Sequence, residues 1–129
     1  YTSSKVKSKS ISKNGGWACY RSLMEVVPGV KHIKATAECE SLMLDNLSKS
    51  DTIPMIVSNT DDIDIGHEAS IGRISDDAIF YLMQRGLTND EAKALIIRGF
   101  VEPISKELPL EYAVELNRLI EIELEGTIG

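Results

Sequence analysis

The sequence predicts a mainly β chain that turns α-helical towards its C-terminus. Alternating residues broken by Gly, Pro and Asn fill the first 74 positions, the pattern of strands and turns. Helix-capping residues begin at Ser75. Charge divides at the same place. Residues 1–74 carry nine Lys/Arg and nine Asp/Glu, whereas residues 75–129 carry five against eleven, so the whole net charge of −6 lies in the tail. That asymmetry fits two modules, 1–74 and 75–129, with different partners.

The elements follow in order. In residues 1–13, Lys5, Lys7 and Lys9 alternate with Val6 and Ser8, which is strand periodicity. Asn14-Gly15-Gly16 is a turn, because these residues tolerate positive φ. Trp17 to Val27 is an apolar strand that ends at Pro28-Gly29. Val30 to Asp45 is a long strand and Asn46 to Ser50 a polar loop. Ile53 to Ser58 and Ile63 to Ile65 are short strands, and Pro54 marks the first as an edge or a bulge. Periodicity fits a small antiparallel sandwich as well as the stacked coils of a parallel solenoid.

The tail is a helical subdomain. Ser75 caps a helix over Asp76 to Arg85, with Asp76 and Asp77 at its positive end and Gly86 as its stop. Thr88-Asn89-Asp90-Glu91 has the spacing of a capping box. The helix that follows carries Ala92, Leu95 and Ile96 and is expected to close at Gly99. A short Val101 to Glu107 piece precedes Pro109, near the start of a last helix that ends at Gly126. Its stripe is Leu110, Ala113, Val114, Leu116, Leu119, Ile120 and Leu124, and glutamates line the rest.

Composition excludes several classes. At 129 residues the chain is one domain, or one with a small appendage. No apolar run approaches the roughly 18–20 residues of a membrane span, and the basic N-terminus lacks the apolar stretch of a secretory signal. Two cysteines, Cys19 and Cys39, do not make a disulfide framework, so a reducing cytoplasmic setting is expected. A net charge of −6 argues against nucleic-acid binding. No CxxC pair, HExxH helix or glycine-rich phosphate loop is present. Asp61, Asp62 and Asp64 lack the distal glutamate of a calcium loop and read as a solvated turn. They are also the nearest approach to the clustered acids that a carbohydrate-active β enzyme would need.

Cys39 and the Gly66-His67-Glu68 step are the chemical candidates. Thiolate, imidazole and carboxylate are the side-chain ligands of iron and zinc. Cys39 is either a buried small residue or a soft metal ligand. Its neighbours Glu38 and Glu40 should face the other side of the strand and do not favour a nucleophilic thiolate. His67 and Glu68 would face opposite ways unless a bulge at Gly66 turns the backbone. Cys19 reads as core, and His32 as an exposed strand residue.

Longer matches then accumulate: Ser8-Lys9-Ser10-Ile11-Ser12, Tyr20-Arg21-Ser22-Leu23, Val27-Pro28-Gly29, Ser50-Asp51-Thr52-Ile53-Pro54, His67-Glu68-Ala69, Phe80-Tyr81-Leu82, Gln84-Arg85-Gly86, Gly99-Phe100 and Leu108-Pro109-Leu110-Glu111-Tyr112-Ala113-Val114-Glu115. With these the chain resembles the C-terminal portion of the SufB/SufD family, the scaffold of the SUF iron–sulfur cluster assembly machinery. The resemblance implies the last coils of a right-handed parallel β-helix followed by a small helical subdomain. It also implies that much of the family's β-helix and its N-terminal domain lie outside these residues. Cys39 with His67-Glu68 makes the chain SufB-like, since SufD-type chains typically lack the cysteine and follow the histidine with glycine. By the same resemblance Cys39, His67 and Glu68 are the cluster-assembly and metal candidates, and the cluster itself is transient. Two β-helices pair in the family, so a SufB/SufD-type partner or a second copy is expected. The protein is then a scaffold and not an enzyme. An ABC-type ATPase, SufC, would dock on the helical subdomain near Arg98, Phe100 and Pro103. The competing expectation is an adaptor for that ATPase with no metal chemistry of its own.

Overall fold

The computed structural model describes residues 1–125. They form an α+β chain in two compact units, Tyr1–Arg73 and Ile74 onward. The first holds β1 (Thr2–Ser12), β2 (Trp17–Glu25), β3 (Ile33–Met43), β4 (Lys49–Val57) and β5 (Ile63–Arg73). The second holds α1 (Asp76–Gln84), α2 (Asn89–Ser105) and α3 (Leu110–Glu125). Gly126, the expected stop of the last helix, lies outside the described residues.

The strands alternate between two sheets, β1-β3-β5 and β2-β4. Every ladder is parallel, which an antiparallel sandwich does not give. Thr2 pairs with Ile33, Trp17 with Lys49 and Ile33 with Ile63, so each strand meets its neighbour 30 to 32 positions along the chain. Pro54 is accommodated because β4 has a single ladder partner, β2, and a missing N–H is harmless on an open edge.

Period-2 alternation decides what faces inward. Ala35, Ala37, Cys39 and Ser41 of β3 are all buried, while the residues between them are not. The interior is small and polar. Ser41 Oγ lies 2.8 Å from Ser10 Oγ and accepts from Ser50 Oγ at 2.7 Å, which ties β1, β3 and β4 together. On the outer face, Lys5 pairs with Glu38, and Lys9 with Glu40 at 2.9 Å. The more exposed Lys5–Glu38 pair contributes little.

The turns are stitched to one another. Asn14 adopts φ 55°, and its N–H donates to Asp45 Oδ2 at 2.6 Å. Asp45 also accepts from Leu47 N, Ser48 N and Ser48 Oγ. Partial burial pushes the Asp45 carboxyl up, but the bonds from Ser48, Leu47 and Asn14 outweigh it and hold the group below the usual carboxylate range. Asp45→Ala should therefore lower the melting temperature, and the wild type should lose the same advantage as pH falls through that depressed value. Thermal melts of both proteins from neutral to acid pH check this. His32 stands one turn further on, outside β3, with φ 57°, its N–H donating to Asp62 Oδ2 at 3.1 Å.

Two expected boundaries move. β5 runs straight through Gly66 to Arg73 instead of stopping at Ile65, because β3 offers it a complete parallel ladder. β4 begins at Lys49, inside the expected loop, because Trp17–Glu25 templates it.

In the helical unit the caps form as the sequence directs. Ser75 Oγ accepts from Ala78 N at 3.2 Å. Gly86 takes φ 100° after α1, where a side chain would be strained. Thr88 Oγ1 accepts from Glu91 N at 3.2 Å, and Glu91 Oε2 accepts from Thr88 N at 2.7 Å. Thr88→Ala should cost about 1 kcal/mol. The backbone and then the side chain of Thr88 hold the Glu91 carboxyl below its usual range. Its contribution is full above the unfolded carboxylate pKa and disappears as pH falls through the folded value. Helicity of the wild type against pH reads this out, and Thr88→Ala stays below it even in acid, because the lost hydroxyl acceptor of Glu91 N does not titrate.

α2 does not close at Gly99. It continues through Pro103 to Ser105 as one helix of 17 residues, so Val101 to Glu107 is not a separate piece. The unit's buried apolar residues are Ile74, Ile79, Ala92 and Ile97, whereas Leu95, expected inside, is 48% exposed.

Candidate functional site

Cys39 is 2% exposed, in the middle of the inward face of β3. Its register partners are Ser8 on β1 and Ala69 on β5. His67 pairs with Ala37, two residues before Cys39. Neighbours in a parallel ladder share a face, so the thiol and the imidazole both belong to the interior and stand diagonally across β3 and β5.

The opposite sheet holds the imidazole. His67 Nε2 lies 3.3 Å from Thr52 Oγ1 of β4. The ring stacks on Tyr20 of β2 at 6.4 Å between centroids and 10° between planes. His67 Nδ1 is buried with no hydrogen-bond partner, an arrangement that costs free energy unless something bonds to it. A soft or borderline metal, or a proton donor, is what such a nitrogen accepts. Ser22 Oγ, two residues past Tyr20 on the same β2 face, is also buried and without a partner.

Glu68 takes the other side. The β3–β5 register is unbroken from Ile33↔Ile63 to Met43↔Arg73, so no bulge forms at Gly66. Glu68 therefore stands on the outer face beside Glu38. There the side-chain hydrogen bond of Lys5 comes first among the causes that lower the Glu38 carboxyl. Cys39 and His67 share a face and Glu68 does not. Among the described residues, no three His, Cys, Asp or Glu side chains gather to hold a metal ion.

Cys19 corrects the expectation of a core residue. Ala18, Tyr20, Ser22 and Met24 take the inward positions of β2, and Cys19 is exposed. It sits beside Trp17, whose Nε1 donates to Asp51 Oδ2 at 2.9 Å. Arg98 lines a cavity of about 340 Å³ between α2 and α3 and reaches Glu121 at 3.3 Å. Pro103 is exposed and Phe100 half-buried, and neither lines that cavity.

Tyr20, Thr52, Ser22 and Ser41 had no chemical motif to announce them. The signal that could have found them is a repeat, since Ser10 and Ser41 are 31 positions apart, as are Ser8 and Cys39.

Residues 1–100 match the family model described as SUF system FeS cluster assembly, SufBD core domain. The chain is 50% identical over 128 residues to an iron–sulfur cluster assembly SufBD family protein of Mycobacterium tuberculosis, covering 99% of this chain and 15% of that protein. It is equally similar to a protein of the same description from Staphylococcus epidermidis, covering 28% of it. The counterpart in Mycobacterium leprae is 49% identical. The chain thus spans less than a third of the length of these relatives. Among the described residues no helix is long and apolar enough to cross a membrane.

Proposed function

The chain belongs to the SufBD family of iron–sulfur cluster assembly proteins, and from that premise we propose that it is a SufB-like scaffold component on which nascent clusters are built and passed on. The observation that carries this reading is the shared inward face of Cys39 and His67, with the imidazole's Nδ1 buried and open to a ligand. Cys39 supplies the thiolate and His67 the imidazole of a transient site. Mixed ligation of this kind holds a cluster that must later leave. Glu68 acts from the outer face, where it would meet a partner rather than the interior.

We read the two sheets as coils of a right-handed parallel β-helix, supported by the 30- to 32-residue register repeat. A solenoid coil leaves unpaired strand edges, here β1 and β5 of the larger sheet and both strands of the smaller. A SufB/SufD-type partner or a second copy pairing there would complete the ligand set that one chain lacks. The helical unit docks a SufC-like ABC ATPase, which supplies the energy, and the scaffold itself is not an enzyme. The assembly works in the cytoplasm.

Anaerobic reconstitution with iron and sulfide tests the site. Wild type should gain cluster absorbance that the Cys39→Ala and His67→Ala chains do not. Equal absorbance in the Cys39→Ala chain overturns the reading.

A second reading, an ATPase adaptor without metal chemistry, is favoured by the separation of Glu68 from the Cys39 face. It requires that capture of the ATPase survive Cys39→Ser and fail when residues 75–129 are removed.

A further inference from the structure

We infer that Thr52 is the positioning residue of the thiol–imidazole site: its hydroxyl accepts the Nε2 proton of His67 and so leaves the Nδ1 lone pair bare on the Cys39 side. The inference deepens the metal-site reading above and rests on it for what the lone pair binds, though not for where the proton sits.

The two ring nitrogens answer to different sheets. β2 and β4 form one sheet, and β1, β3 and β5 the other. Nε2, at the far tip of the ring, reaches across to Thr52 Oγ1 of β4 at 3.3 Å. Nδ1 is bonded to Cγ and so stays close to the β5 backbone, in the layer that carries Cys39. It is buried and has no hydrogen-bond partner.

β4 is held in place for that reach. Ser50 and Thr52 are successive inward positions on it. Ser50 Oγ donates to Ser41 Oγ of β3 at 2.7 Å, which ties β4 to the other sheet two residues before Thr52. Thr52 is also the register partner of Tyr20, whose ring lies 10° from the plane of the imidazole. Hydroxyl and phenol ring arrive side by side. One fixes the tip of the imidazole and the other its plane.

The proton's place follows from what each tautomer leaves over. A neutral imidazole has one N–H and one bare nitrogen, and a threonine hydroxyl can meet either. With the proton on Nδ1, Nε2 accepts from Thr52 and a buried N–H is left without an acceptor. With the proton on Nε2, the N–H donates to Thr52 and the orphan at Nδ1 is a lone pair. Either orphan costs free energy in the chain alone. Only the lone pair can be satisfied by a metal ion. A ligating histidine almost always donates its other N–H to a fixed acceptor, which sets its tautomer and ring orientation. Thr52 stands where that acceptor is needed.

Nuclear magnetic resonance of the full chain with isotopically labelled histidine tests this. The ring nitrogens of His67, identified by their loss in His67→Gln, are read without metal at alkaline pH, where free histidine is neutral. The wild type should carry its proton on Nε2, with slowed exchange. In Thr52→Val that proton should exchange about tenfold faster, and the two nitrogen resonances should draw together as the second tautomer populates. Thr52→Ser, which keeps the hydroxyl, should restore both. Ferrous iron alone is then added anaerobically, and its binding is read from paramagnetic broadening of the same ring signals. Thr52→Val should bind about 10–100-fold more weakly than wild type, and Thr52→Ser should recover.

A wild-type proton on Nδ1 overturns the inference. So does a Thr52→Val ring that keeps the wild-type resonances and exchange, or a Thr52→Val chain that binds iron as tightly as wild type. In that last case the metal-site reading still stands. If the ring responds to Thr52→Val as expected and iron leaves the wild-type signals untouched, the metal-site reading falls and the hold of Thr52 on the proton stands. If Thr52→Val does not melt cooperatively, the wild-type and Thr52→Ser rings decide, with the proton on Nε2 in both as support and on Nδ1 in either as refutation.

Discussion

Replacing Cys39 with alanine should abolish cluster formation while leaving the fold in place. The two outcomes separate because of where the thiol sits. At 2% exposure it contributes some packing, but it is flanked on the same face by Ala37 and Ser41 and paired with Ser8 and Ala69. Removing one sulfur from a face of small residues costs about 1 kcal/mol. The chemical loss is far larger. Changing even an outer partner of a metal ligand typically costs about 10–100-fold in affinity, and here the ligand itself goes. Anaerobic reconstitution read by absorbance, beside a thermal melt of the same sample, gives both numbers. A flat spectrum with a melt shifted by only a few degrees is the expected pair. A chain that melts cooperatively and still develops the wild-type spectrum would return Cys39 to the role of a buried small residue. His67→Ala should act in the same direction. It also removes the stacking on Tyr20 and the contact with Thr52, so its melt should fall further than that of Cys39→Ala.

The contrast between Cys39 and Cys19 shows how much of this was legible beforehand. Both sit in β-patterned segments, and both read as buried from residue type alone. Alternation puts Cys39 between outward Glu38 and Glu40, so its inward position was readable and holds. Cys19 lies between Ala18 and Tyr20, which are as apolar as itself, and only the pairing of β2 with β4 decides that Tyr20 faces in and Cys19 out. The same limit explains β5. Gly66 weakens the strand locally, and a local reading stops there, yet a full ladder with β3 carries the strand to Arg73. The helices were more legible because a cap is a local device. Ser75 and the Thr88–Glu91 box act within four residues. Gly99 misled for the complementary reason: it is a local helix breaker, but α2 runs through it to Ser105, and Pro103 lies in the last turn, where little helix remains to lose. Of the three site candidates, the shared face of Cys39 and His67 follows from parallel register, which no single strand announces. The position of Glu68 follows from the absence of a bulge, which Gly66 had left open.

The serines of the interior lead to a result that simple side-chain deletion would not suggest. Ser41 is 5% exposed, and its hydroxyl is the shared node between Ser10 on β1 and Ser50 on β4. Ser41→Ala removes one oxygen and leaves two half-buried hydroxyls without their partner. Each orphaned group costs about 1–3 kcal/mol when it cannot reach water, less where it remains partly exposed. A loss of about 2 kcal/mol is expected for the single substitution. Removing all three hydroxyls, in Ser10→Ala, Ser41→Ala and Ser50→Ala together, leaves nothing unpaired and replaces a polar strip with methyl groups. That triple variant should lie within about 1 kcal/mol of wild type, closer to it than Ser41→Ala alone. Denaturant melts of the single and triple variants read the difference directly. If the triple variant loses the sum of three single losses, the hydroxyls are independent and the network is only geometric. If it recovers, the serines are held by mutual satisfaction and not by individual strength. A polar interior around Cys39 is then retained at no net cost to stability, available to whatever passes between the thiol and the imidazole.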